Sequence, residues 1–264
     1  MAKDRKFIFI DIDGTIYDYK YGLVESAVEA VRKLKENGHH PILCTGRTRV
    51  MIFDEIINMD FDGIIAGAGS YISWKGEVIS CLELPQEEVM RLVNIFQSNG
   101  FATYPEGHEN FYYDPKYVED GEDMIYRIYQ MHIPDKLKPI DYVNNMHVSK
   151  VSAMYTKDSN AQGVIDALGD DYIWVDHSGY LLETIPKHLS KGCGVEKLLE
   201  VAGGSLENSY GFGDSYNDLD MLKLVKYGVV MGNGKDSLKK QVPYQTEPFN
   251  EDGVYNALVR FGLI

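Results

Sequence analysis

Short, uninterrupted apolar runs that each stop at a polar turn constrain this chain more than any other feature. FIFI at 7–10 stops at Asp11, PILC at 41–44 stops at Thr45, and GIIA at 63–66 runs into glycines. An amphipathic helix is predicted over 24–37, closed by Gly38, between the first two runs, and a helix over 50–58 between the second and third. Runs of this length with no alternation, separated by helices, predict strands of a parallel sheet covered on both faces. The same grammar returns late in the chain, with strands at 209–212 and 227–231 and helices over 218–225, 235–242 and 253–261. The two ends are therefore expected to build one sheet.

Between 82 and 185 the texture changes. Helices over 86–98, 121–131 and 159–168 mix with short aromatic-rich strands at 111–113, 151–155 and 172–175, and Pro85 and Pro186 punctuate the two junctions. The expected architecture is a Rossmann-like α/β core of 1–81 and 186–264 with an inserted α/β domain at 82–185. Twenty-six basic against forty acidic residues give a net charge of −14, which argues against nucleic acid or an anionic membrane as partner. The apolar run near the start is four residues long, too short for a secretory core or a membrane span, so a cytoplasmic location is expected. Cys44, Cys81 and Cys193 are odd in number and far apart, and they read as reduced, mostly packed thiols.

In open α/β sheets ligands bind beyond the carboxyl ends of the strands. The residues found there form a coherent set: Asp11, Asp13 and Thr15; Thr45, Gly46 and Arg47; Lys191; and Asp214, Ser215, Asn217 and Asp218. Several carboxylates crowded around one lysine raise one another's pKa unless a cation sits among them. Mg²⁺ suits such a site because it takes few protein carboxylates and leaves positions for waters and phosphate oxygens.

A phosphate ester accounts for the remaining groups. Asp11 can attack phosphorus to form an aspartyl-phosphate, and Asp13 can protonate the leaving oxygen and then deprotonate water. Thr45, the amides beside Gly46 and the Lys191 ammonium can hold the non-bridging oxygens, with Arg47 assisting capture of an anion. Asp214 is expected as the second metal carboxylate, and Asp218 as the partner that orients Lys191. Thr45-Gly46-Arg47 alone reads more readily as an ordinary helix entry; the order of all four groups carries the assignment.

These residues resemble the signatures of the haloacid dehalogenase superfamily, and within it the Cof-type sugar-phosphate phosphatases, over essentially the whole length. DIDGT at 11–15 is similar to the first signature, CTGR with Thr45 to the second, SKGCG with Lys191 to the third and GDSYND at 213–218 to the fourth. The resemblance implies Asp11 as nucleophile, Asp13 as acid and base, and Mg²⁺ held by Asp11, the Asp13 carbonyl and Asp214. Thr45, Lys191 and Asn217 would bind phosphate, with Asp218 in support. It also implies that the insert is a cap that closes over the site and contacts the substrate.

The chain departs from the pattern at GAGSY, where Ala68 stands in place of the usual Asn. The polar stretch His108, Glu109, Asn110 and Tyr112 reads more readily as a hairpin connection than as a substrate loop. The expected partner is a small phosphate ester, acted on by a monomer or weak homodimer. A phosphomutase using the same aspartate pair, or a non-catalytic sugar-phosphate sensor, stays open at this stage; a receiver-like switch is about half this length.

Overall fold

The computed structural model describes residues 5–118, 124–144, 146–177 and 179–264. Residues 1–4, in the basic start, and 121–123, where the helix expected over 121–131 begins, lie outside them. The first part of the chain runs β1 (Phe7–Ile10), β2 (Tyr17–Asp18), β3 (Gly22–Leu23), α1 (Glu25–Glu36), β4 (His40–Cys44), α2 (Asp54–Ile57), β5 (Gly63–Ala66), β6 (Tyr71–Trp74) and β7 (Glu77–Cys81). The middle part runs α3 (Gln86–Ser98), β8 (Ala102–Glu106), β9 (Phe111–Tyr113), α4 (Met124–His132), β10 (Leu137–Pro139), β11 (Lys150–Met154), α5 (Ala161–Leu168), β12 (Tyr172–Asp176) and β13 (Leu181–Pro186). The last part runs α6 (Lys191–Ala202), β14 (Ser209–Gly213), α7 (Leu219–Leu224), β15 (Tyr227–Val230), α8 (Asp236–Lys239), β16 (Tyr244–Gln245) and α9 (Gly253–Arg260).

The chain divides into two compact units, one of Met1–Gly46, Asp54–Ser80 and Ser190–Ile264, the other of Arg47–Phe53 and Cys81–Leu189. The division expected from sequence therefore needs correcting at residues 47–53, which pack with the insert. Thr48 Oγ1 donates to Glu106 at 3.3 Å, and the Phe53 ring stacks on His132 with centroids 3.9 Å apart. The return crossing also falls after Leu189 rather than 185.

The first unit carries the sheet β16-β15-β14-β1-β4-β5-β6-β7. Strands from β16 to β5 are parallel, and β6 turns back antiparallel on β5. Its apolar strands bury Phe7, Phe9, Ile42 and Ile65 with Val195, Leu198 and Met221 in one core. All four residues of β1 are buried, as a central strand covered on both faces requires. The register sets Ile10 beside both Leu43 and Phe212, so the chain leaves β1, β4 and β14 at the same, carboxyl end of the sheet.

The second unit carries the sheet β10-β9-β8-β11-β13-β12, antiparallel except where β9 meets β10. Val89, Leu92 and Phe96 of α3 close over Val151, Ala153 and Leu182 in a separate core. Among the described residues no helix is long and apolar enough to cross a membrane.

Two further expectations are corrected. The helix expected over 50–58 is a single turn at Asp54–Ile57, because Ile52 adopts extended backbone (ψ 114°). Of the three free thiols only Cys44 is buried, while Cys81 and Cys193 are exposed.

Candidate active site

Asp11 is the first residue past β1, buried, with its amide donating to Phe212 O at 3.0 Å. The turn after it is tight: Gly14 N donates to Tyr17 O at 2.9 Å, and Thr15 N to Ile12 O at 3.1 Å. Gly14 has φ +68°, and a Cβ there would lie 2.2 Å from Asp214 Oδ2, so only glycine lets this turn reach the neighbouring strand end. Asp13, between them, is exposed. The Thr15 hydroxyl is buried without a hydrogen-bond partner.

Lys191 opens α6, whose cap is Ser190, the side chain of which accepts from Cys193 N at 3.1 Å. Its ammonium is buried and bridges two carboxylates, Asp11 Oδ1 at 2.6 Å and Asp218 Oδ1 at 2.5 Å. Asp220 Oδ2 accepts from Gly192 N at 2.8 Å and pins the same turn. α6 lies close against β5: a Cβ on Gly194 would meet Ile65 Cγ2 at 2.5 Å.

The second oxygen of Asp218 accepts from the amides of Asp214 and Ser215, both at 3.0 Å. Both its oxygens are therefore engaged, one with the lysine and one with the loop that carries Asp214. Ser215 Oγ donates to Asn217 Oδ1 at 2.6 Å, and Asn217 Nδ2 lies 3.5 Å from where a Cβ on Gly46 would sit. Thr45 is buried, with its amide on Ile65 O at 2.8 Å and its carbonyl accepting from Ala68 N at 3.1 Å. Ala68 adopts the left-handed region (φ 53°, ψ 37°), where Gly and Asn are the favoured residues.

Asp11, Thr45 and Asp214 thus follow the carboxyl ends of β1, β4 and β14, with Lys191 and Asp218 bonded to that group. Arg47, also expected there, is grouped otherwise. It lies in the second unit, buried, its guanidinium 4.7 Å from the Phe53 ring centre and donating to Met51 O at 3.2 Å. Asn233 was not singled out from the sequence, yet its Nδ2 donates to Gly14 O at 2.9 Å and to Asp214 Oδ2 at 3.2 Å. The strand-end rule would have found it, since Met-Gly-Asn-Gly directly follows β15.

Electrostatics follow from this packing. Burial, reinforced by the charge of Asp218 and only partly offset by Lys191, pushes the Asp11 carboxyl well above its ordinary range. Burial and Asp218 also push Asp214 up to about 6. Lys191 loses solvation, but the carboxylates of Asp11 and Asp218 more than compensate and hold it charged.

Oxygens of Asp11, Asp214 and Asp218 lie within 4.8 Å of one another. An all-oxygen donor set with surplus negative charge fits a hard divalent cation. With both Asp218 oxygens already engaged, Asp11 and Asp214 are the carboxylates that could hold it.

A family model described as haloacid dehalogenase-like hydrolase matches residues 8–258. The 5-amino-6-(5-phospho-D-ribitylamino)uracil phosphatase YitU of Bacillus subtilis is 25% identical, covering 96% of each chain. A phosphoglycolate phosphatase of Methanobrevibacter smithii is 26% identical, covering 97% of this chain and 98% of the relative. A solved structure of a hypothetical protein from Geobacillus kaustophilus superimposes with a TM-score of 0.82 at 26% identity, covering 98% of this chain and 100% of the other. With the four signature segments folded to the carboxyl end of one sheet and the family match spanning nearly the whole length, the chain belongs to the haloacid dehalogenase-like hydrolases.

Proposed function

We propose that this hydrolase is a Mg²⁺-dependent phosphatase that cleaves small phosphorylated metabolites, sugar phosphates above all, through a phosphoryl group carried on Asp11. The observation that supports it most is the buried Lys191 ammonium between Asp11 and Asp218, with Asp214 beside them. A strand end would not bury that much charge for stability alone.

An Asp11 oxygen forms a bond to phosphorus as the bond to the ester oxygen breaks. Asp13, exposed and two residues further on, gives its proton to the departing alcohol. Asp13 then takes a proton from water, whose oxygen attacks phosphorus and frees Asp11 and inorganic phosphate. Lys191, the Thr45 hydroxyl, the amides beside Gly46 and Asn217 hold the non-bridging oxygens. Asp11, the Asp13 carbonyl and Asp214 would hold Mg²⁺, which would supply charge neutralisation for the phosphoryl group.

The insert is the part of the chain assigned to choosing the alcohol. The relatives support a small ester, since two proteins of similar identity are named for different phosphorylated metabolites. A cytoplasmic enzyme acting as monomer or weak homodimer completes the proposal.

Phosphate release from a panel of sugar phosphates, nucleotides and an aryl phosphate, with and without Mg²⁺, tests it. Metal-dependent release is expected, with sugar phosphates leading the panel. Isomerised sugar phosphate with little free phosphate would instead make the enzyme a mutase, and tight binding with no turnover would make it a sensor.

A further inference from the structure

Asn233 joins three loops through one side chain. Its Nδ2 donates to Gly14 O at 2.9 Å, after β1, and to Asp214 Oδ2 at 3.2 Å, after β14, while its Oδ1 accepts from Phe249 N at 3.1 Å. A backbone N–H only donates and a carbonyl only accepts, so these neighbours fix which way the amide faces. Both amide hydrogens and its oxygen are committed.

The flanking glycines make this reach possible. A Cβ on Gly232 would lie 2.5 Å from Pro248 N, and one on Gly234 would lie 2.8 Å from Asp214 O. The loop is also tied by Met231 N donating to Gly213 O at 3.0 Å and Gly232 N to Glu247 O at 3.1 Å. Its backbone is therefore held without the Asn233 side chain, which is itself exposed. Fold stability gives little reason for an exposed amide to bond a carboxylate and the adjoining turn together.

We propose that Asn233 is a positioning residue for the divalent-cation site, fixing the Asp214 carboxylate and the Asp13–Gly14 turn in one geometry. The proposal rests on the metal-dependent reading above. Asp214 has a single-bonded side chain that turns freely unless something holds one oxygen, and Asn233 holds Oδ2. Partners of this kind, which hold a ligand without touching the metal, commonly change metal affinity by about 10- to 100-fold when removed.

The test titrates Mn²⁺ alone into wild type, Asn233→Ala and Asn256→Ala by calorimetry, with thermal melts of each. Asn256 donates to Glu251 O at 3.2 Å and serves as a loop control outside the site. Asn233→Ala is expected to weaken Mn²⁺ binding about 10- to 100-fold. The Mg²⁺ concentration for half-maximal phosphate release should rise in step, and turnover should recover at saturating Mg²⁺. Asn256→Ala should bind as wild type.

Mn²⁺ affinity of Asn233→Ala within twofold of wild type overturns the positioning role, as does equal weakening in Asn256→Ala. Wild type that binds no Mn²⁺ overturns the metal reading as well, so the two failures are distinguishable. If Asn233→Ala melts below the assay temperature, Asn233→Ser is titrated instead, because its short hydroxyl side chain cannot reach Gly14 and Asp214 together; the same outcomes decide.

Discussion

At the scale of single residues, Asp11 opposes stability. Its carboxyl is desolvated and faces Asp218, and Lys191 offsets only part of this. Asp11→Asn should therefore lower turnover by about three orders of magnitude or more, while the melting temperature of the cation-free protein stays level or rises; a fall of several degrees would contradict the burial cost. Asp214 sets a pH dependence. Its folded-state pKa of about 6 lies above the ordinary 3.8, so the cation-free site binds a proton as pH drops through 6, and that proton competes with the cation. Cation affinity should be roughly tenfold weaker at pH 5 than at pH 7, and a Mn²⁺ titration showing no change over that range would contradict the assignment. Asp11, Asp13, Lys191 and Asp214 were legible in the sequence because chemistry restricts which side chains can do the work. Asn233 stands where the strand-end rule looks, just after β15, but its three contacts exist only in the fold.

At the scale of elements, glycines decide how closely the site is drawn together. α6 was missed in the sequence because Gly192 and Gly194 break its helical signal, yet Gly194 lets it lie against Ile65 of β5 and Gly69, and Gly192 lets it lie against Asp220. Gly194→Ala would place a Cβ 2.5 Å from Ile65 Cγ2, an overpacking expected to cost about 1–3 kcal/mol. It should also lower turnover, because Lys191 moves with the helix; unchanged denaturant midpoint and activity would contradict this. Ala68→Gly should act in the opposite sense, stabilising by about 1 kcal/mol through relief of the left-handed backbone. The buried strands were legible because an apolar run bounded by turns has few other uses. The β2–β3 hairpin and β16 were not, each being two residues long and without a pattern of its own. β8 was hidden by its polar and proline residues, ATYPE, although all five are buried.

At the scale of the whole molecule, the two units have separate cores and are stabilised differently. In the second unit, Lys150 is buried between Glu106 at 3.2 Å and Glu183 at 2.8 Å, and His177 lies 2.9 Å from Glu183. Although burial opposes it, the Lys150 charge and the hydrogen bond with His177 hold the Glu183 carboxyl down at about 2, whereas burial raises Glu106, which shares that lysine. A depressed carboxylate stabilises fully above its ordinary 4.5 and loses that contribution as pH falls from about 4.5 to about 2. Glu183→Gln should cost about 1.5–3 kcal/mol at pH 7, with the gap from wild type narrowing at pH 3; a gap that widens there would contradict the sign. This cluster was illegible in the sequence, where Glu106, Lys150 and Glu183 are far apart, and only the antiparallel pairing of β8, β11 and β13 unites them. The central claim is that the phosphoryl group passes through Asp11, and the most direct measurement is an acid-quenched single turnover with a ³²P-labelled sugar phosphate and Mg²⁺, followed by peptide mapping. Label on the peptide carrying Asp11, absent in Asp11→Asn, is the predicted result. Phosphate released at full rate with no protein-bound label at any quench time, and undiminished in Asp11→Asn, would contradict it.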